Sequence, residues 1–289
     1  MNVSVQRGVM IGIGGAVTAL AVLSALLLVT GHAPGPALAA LASGAFGSKY
    51  ALSSTVVRSV PLALNGLAVT LAFRAGLLNI GAEGQLLMGA CVATAAGAFL
   101  GHAPAVLALP TMLLAATVAG AGWALVAAEL RRRFGVLEVI STIMLNFVAL
   151  YAVSFLVRGP LQEPTHAYPQ TSAIAEGIRL ARIPGAGRLH VGFVIAIMLL
   201  LVCGWIFRHT AAGFRLLATG ENPAAARSAG QINLARTTTI AFLSSGALAG
   251  AAGAVELLAS PMRSTRTFLR DMDTRQLPSL FWRVSIPGW

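Results

Sequence analysis

Seven apolar stretches, each close to twenty residues long, recur along this 289-residue chain. They cover residues 9–30, 56–73, 86–100, 105–128, 139–157, 191–207 and 239–259. A helix needs about 20 apolar residues to cross a hydrocarbon core. In lipid every backbone polar group has to be satisfied within the protein, which leaves helices and closed barrels as the spanning structures. Runs this long, without strand alternation, predict an all-α fold: a polytopic transmembrane helical bundle of about seven spans in a lipid bilayer. Composition agrees, with 57% hydrophobic and 10% charged residues and a mean hydropathy of +0.80. A soluble domain carries about 25% charged residues. A soluble enzyme, a disordered chain and a disulfide scaffold are thereby excluded. The first stretch is longer than the 7–15 apolar residues typical of a signal peptide, and reads as an uncleaved anchor.

The net charge of +11 suits membrane loops better than nucleic acid, because no basic tract is interleaved with aromatics. Cytoplasmic loops of membrane proteins collect Lys and Arg. With the N-terminus cytoplasmic, alternation places Arg7, Arg74, Arg131, Arg132, Arg133, Arg208, Arg215, Arg227 and Arg236 inside. Lys49, Arg58, Arg158, Arg179, Arg182 and Arg188 then fall outside. The bias predicts a multi-pass protein of the cell membrane with its N-terminus in the cytoplasm. The long segment 158–190 should face outside and segment 208–236 the cytoplasm.

Several polar residues lie in or beside the apolar runs: Asn65, Asn79, Glu83, Gln85, Glu138, Asn146 and Glu256. Polar groups at membrane depth either line a translocation pathway or join helices by hydrogen bonds. Both readings stand for each residue, while the set predicts a bundle with a polar interior. Gly76, Gly81, Gly84 and Gly89 surround Asn79 and break the helical pattern. Irregular backbone at that depth survives only when buried in protein or lining a cavity. The segment is therefore either a discontinuous helix or a cytoplasmic turn.

In segment 208–236, Asn222 is placed to cap a helix and Pro223 to start it. Ala224 to Arg227 propagate it and Gly230 can end it. Such a short helix offers a small-residue face to a cytosolic partner, or is a structured loop without one. No catalytic constellation is evident. Cys91 and Cys203 lie in apolar runs without metal spacing, and the five histidines are scattered toward span ends and loops. No metal site and no cofactor are expected, and the chain is not expected to be an enzyme.

Three stretches resemble a known family. They are PLALNGLAVTLAFRAGLLNIGAEGQLLMGA (61–90), STIMLNFVALY (141–151) and ATGENPAAARSAG (218–230). They resemble permease subunits of ATP-binding-cassette (ABC) importers in the branched-chain amino acid and simple-sugar superfamily, and most of all its nucleoside (guanosine-type) branch. The resemblance covers roughly residues 50–257. It implies cytosolic ABC ATPase subunits, a second homologous permease subunit and an extracytoplasmic substrate-binding protein as partners. It further implies that Gly220, Glu221, Asn222, Pro223, Ala225, Ala226, Arg227 and Gly230 form the helix coupled to the ATPase. Asn65, Asn79, Glu83, Gln85 and Asn146 are the candidates for the translocation pathway. The chain has no GxxxxGK[ST] loop for ATP, so hydrolysis would belong to a partner. An ion-coupled secondary transporter is the alternative.

The tail departs from this pattern. Residues 1–257 form the expected permease domain, incomplete at its end, and 258–289 an atypical tail that holds seven of the 29 charged residues. Shifting the reading frame back by one base forces a glycine codon at Met272-Asp273 and a leucine codon at Phe281-Trp282. The tail is thus expected to be frameshift-derived and poorly ordered, and a non-functional truncated permease is a further alternative.

Overall fold

The computed structural model describes residues 3–101, 103–166, 168–228 and 232–259. The expected tail from residue 260, Gly230 and His102 lie outside the described residues. Among the described residues ten α-helices follow in order: α1 Val3–Val29, α2 Pro34–Phe46, α3 Lys49–Arg74, α4 Ala82–Phe99 and α5 Ala105–Phe134. After these come α6 Glu138–Arg158, α7 Val191–His209, α8 Ala211–Glu221, α9 Pro223–Ser228 and α10 Leu234–Ala259. Among the described residues the only β-pairing is two isolated bridges, Gln162 with Thr171 and Arg182 with His190.

The chain divides into two compact units. The first comprises residues 1–56 and 185–188. Its helix α1 has no buried residue across Met10–Val29. Helix α2, which the apolar pattern did not announce, is 13 residues long and has none buried either. That is too short to cross a bilayer; a proline in the first turn and the alanine-rich run account for its helicity. The short segment 185–188 docks on the start of α3. Ser53 Oγ accepts the Arg188 N–H at 3.1 Å, and the Arg188 guanidinium lies 5.5 Å from the centroid of the Tyr50 ring.

The second unit holds the core. Helix α10 is its axis, packed against both α4 and α5, which also pack on each other. Small residues make this possible. A Cβ at Gly250 would collide with the Ala116 carbonyl and lie 3.0 Å from the Gly120 Cα of α5. From the α4 side, a Cβ at Gly89 would come within 2.5 Å of the Gly250 Cα. Backbone-to-backbone packing of this kind is how membrane helices associate when lipid is as apolar as their own side chains. Two apolar clusters flank the axis, one around Val60, Leu64, Met112 and Leu258, the other around Leu71, Leu77, Phe242 and Leu216.

Among the described residues six helices are long and apolar enough to span a membrane: α1 from Met10, α3, α5, α6, α7 and α10. The third expected span is α4. It is 18 residues long, opens with Glu83 and Gln85, and has ten buried residues. Its polar start and its burial inside the bundle, not lipid exposure, explain its weaker hydropathy.

The long segment before α7 is folded onto the unit. Ile178 and Leu180 join the core, and Leu180 donates its N–H to the Leu258 carbonyl at 3.1 Å. His190, grouped with the interfacial histidines by sequence, is 3% exposed and caps α7: its Nδ1 accepts the Gly192 N–H at 3.1 Å. Burial lowers its pKa below the ordinary 6.5. The folded state therefore keeps the ring neutral to lower pH than the unfolded chain does. Its contribution to stability is complete above pH about 6.5 and is lost as pH falls from there toward the folded pKa. A melting series from pH 7.5 to 5.5 should show a fall in Tm that is reduced in His190→Asn, which retains a capping side chain; equal falls would show that His190 is not the cause.

Candidate functional site

Helix α3 stops at Arg74 because Gly76 adopts a left-handed conformation, φ +73°. Gly76 donates to the Phe73 carbonyl and Leu77 to the Ala72 carbonyl, both at 3.0 Å. This is the Schellman end, which satisfies the last carbonyls of a helix. The chain does not then leave the bundle. Residues 77–81 run back inside it with period two. Leu77 and Asn79 are buried, while Leu78 and Ile80 are exposed. Helix α4 starts immediately after, at Ala82.

A small polar network holds this re-entrant turn. Asn79 and Gln85 pair their side-chain amides, each donating to the other at 3.1 Å. Asn79 Oδ1 also accepts the Gly81 N–H at 3.0 Å, and its Nδ2 donates to Ser245 Oγ at 2.8 Å. The Ser245 hydroxyl donates onward to the Ala68 carbonyl of α3 at 2.7 Å. Ser245 stands eleven residues into α10, roughly 16 Å along the helix at 1.5 Å per residue. The turn therefore reaches deep into the unit. Asn79 and Ser245 are 0% exposed and Gln85 1%.

Asn146 of α6 braces the other side. Its Oδ1 accepts the Gly84 N–H at 2.9 Å and its Nδ2 donates to the Ile80 carbonyl at 3.0 Å. Two backbone groups that no helix satisfies are thus matched by one amide. The structure brings Asn79, Gln85 and Asn146 together around the turn. It does not bring in the other two pathway candidates. Glu83 points outward from the first turn of α4 and is exposed. Asn65 is half-buried on α3, and its Oδ1 has no hydrogen-bond partner among the described residues.

Segment 210–228 meets the same turn. It is two helices, not one. Thr210 caps α8, its Oγ1 accepting the Gly213 N–H at 3.1 Å. Helix α8 ends with Gly220 and Glu221; Asn222 then caps α9, its Oδ1 accepting the Ala225 N–H at 3.0 Å. Pro223 opens α9, Ala226 is its buried residue, and Ala225 and Arg227 are exposed. Gly220 lies against the end of α3. A Cβ there would collide with the Arg74 carbonyl and come within 2.8 Å of the Gly76 amide nitrogen. One at Gly76 would come within 3.0 Å of the Gly220 Cα. Sequence reasoning placed these two glycines in separate motifs; their contact carries no local signal.

The arrangement offers no nucleophile paired with a base. No group of three His, Cys, Asp or Glu that could hold a metal occurs among the described residues. What it offers is a hydrogen-bonded joint inside an apolar bundle, linked by direct backbone contact to a short helix pair.

Comparisons with known proteins agree with the motifs. Residues 51–269 match the family described as the branched-chain amino acid transport system / permease component. The chain is 37% identical over 235 residues to a guanosine ABC transporter permease of Bacillus subtilis, covering 80% of this chain and 66% of that protein. It is 39% identical over 233 residues to a glucose ABC transporter permease of Haloferax volcanii, covering 76% and 60%. A nucleoside ABC transporter permease of Lactococcus lactis is 31% identical over 238 residues, covering 80% and 65%. The chain thus spans slightly less than two thirds of the length of these curated relatives. No solved structure gives a significant match.

Removing Asn79 leaves the Gln85 amide and the Gly81 N–H without their partner. Each buried group stripped in this way costs about 1–3 kcal/mol. Asn79→Leu should lower Tm strongly in detergent, with Ser245→Ala milder because Asn79 keeps its bonds to Gln85 and Gly81. An Asn79→Leu protein as stable as wild type would show that the network does not hold the turn.

Proposed function

Because the chain belongs to the branched-chain amino acid transport permease family, we propose that it is the transmembrane permease subunit of an ABC importer. The substrate is a nucleoside, with simple sugars second. Nucleosides come first because two of the relatives described above are named for guanosine or nucleoside transport and one for glucose. Hydrolysis of ATP belongs to separate cytosolic subunits. A second permease subunit completes the pathway, and an extracytoplasmic binding protein delivers substrate. The arginine-rich end of the second unit faces the cytoplasm.

The observation that carries this reading is the backbone contact of Gly220 with Gly76. The segment from Gly220 to Arg227, continued through Gly230, docks on the ATPase. When the ATPase subunits close, the docked segment moves and Gly220 pushes or pulls the end of α3. The turn anchored by Asn79, Gln85 and Asn146 follows as a rigid body, which is how a local shift becomes a change of access. In this mechanism the three amides hold the pathway wall. Asn65 and Glu83, whose side chains the network leaves out, are the residues placed to meet substrate.

The test is uptake of labelled guanosine by proteoliposomes carrying this chain, its second permease, ATPase and binding protein. Uptake should require ATP and the ATPase. Uptake that persists without the ATPase, driven by an ion gradient, would favour the secondary-transporter alternative. Gly220→Val strains the contact by about 1–3 kcal/mol, as overpacking does. Uptake should then fall about tenfold while ATP hydrolysis continues; loss of both would mean that assembly, and not transmission, depends on the contact.

A further inference from the structure

A cavity of about 430 Å³ opens where the re-entrant turn, the coupling helices and the ends of α5 and α10 meet. Its wall includes Arg131, Arg132, Arg227, Thr219, Gly76 and Gly220, and among the described residues no carboxylate. The surrounding ion pairs do not neutralise it. Glu129 is shared by Arg132 at 2.8 Å and Arg133 at 2.9 Å, and Glu138 lies 3.2 Å from Arg131. Arg227 makes no ion pair among the described residues. Four guanidiniums therefore stand against two carboxylates, an excess of two positive charges. In addition Thr219 is 3% exposed, and its hydroxyl finds no hydrogen-bond partner among the described residues. A buried hydroxyl left unpaired is costly unless something else satisfies it.

We propose that this cavity binds a phosphate group, supplied by an anionic phospholipid headgroup or by a free phosphate. A free phosphate brings a charge approaching −2 and strong acceptor oxygens, and the phosphodiester of a lipid headgroup a charge of −1 with two such oxygens; either offsets the charge excess. Guanidinium forks recognise phosphate in bidentate fashion and are more weakly hydrated than lysine ammonium groups. The triple arginine ends a long apolar helix, the position at which basic pockets meet lipid headgroups. A phosphate held between Arg227 of α9 and Arg131 or Arg132 of α5 would tie the coupling helix to the bundle. The inference does not rest on the transport reading, since binding is read on the isolated chain.

The full chain, purified in uncharged detergent, is titrated with inorganic phosphate and its Tm followed. In parallel it is placed in nanodiscs of phosphatidylcholine alone or with phosphatidylglycerol, and retained lipid is read by native mass spectrometry. A Tm rise with phosphate identifies the free ion as a ligand, and retention of phosphatidylglycerol over phosphatidylcholine identifies the headgroup. In either case Arg227→Gln should weaken binding roughly tenfold, as loss of a charge-assisted contact does, and Thr219→Val should weaken it less. Arg227 is exposed, so its variant tests the site without disturbing the core. No response to either probe, an equal response to acetate at the same ionic strength, or undiminished binding by Arg227→Gln would overturn the proposal.

Discussion

Breaking a helix inside an apolar bundle strands backbone donors and acceptors that water cannot reach. Residues 75–81 do this between α3 and α4, and the rest of the second unit is arranged to answer it. The Schellman end takes care of the last carbonyls of α3. Asn146 then supplies one donor and one acceptor to Ile80 and Gly84. Asn79 folds back on Gly81 and pairs with Gln85. Three amide side chains thus replace hydrogen bonds that a continuous helix would have made for itself. In a medium where an unsatisfied group costs several kcal/mol, the break exists because those amides do.

Ser245 joins this network only because α10 comes close enough. The glycine face that lets α10 press its backbone on α4 and α5 places a hydroxyl beside Asn79. A leucine-faced α10 would stand further off, since interaxial distance follows the side chains at the contact. Small-residue packing and polar bridging are therefore one design: the first sets the distance that the second requires. It also explains the burial of α4. A helix enclosed by α5, α6 and α10 needs no lipid-facing hydropathy, so the buried Gln85 is tolerated near its start.

Much of this was legible in the chain. Long apolar runs announced α1, α3, α5, α6, α7 and α10, because span length is fixed by the bilayer and not by packing. Asn222 followed by Pro223 announced the start of α9, a purely local signal. Glycines around Asn79 announced a break without saying whether it re-entered the bundle; that depended on Ser245, 166 residues away. Helix α2 and helix α8 were missed because neither is long enough or apolar enough to stand out. The contact between Gly76 and Gly220 was invisible for a different reason. A glycine chosen for close approach looks the same in sequence as one chosen for a turn, and Gly76 is both.

That double role bears on how motion could pass through the molecule. Gly76 ends α3 by its left-handed backbone and touches Gly220 through the same atoms. Backbone against backbone leaves no flexible side chain to absorb a displacement. A shift of α8 must either open a gap beside Arg74 or move the end of α3 with it. Opening the gap forfeits dispersion contacts on both faces, whereas moving the end of α3 carries along the turn that Asn79 locks to Gln85 and Ser245. Stiffness at one point and several hydrogen bonds at the next make concerted movement the cheaper response.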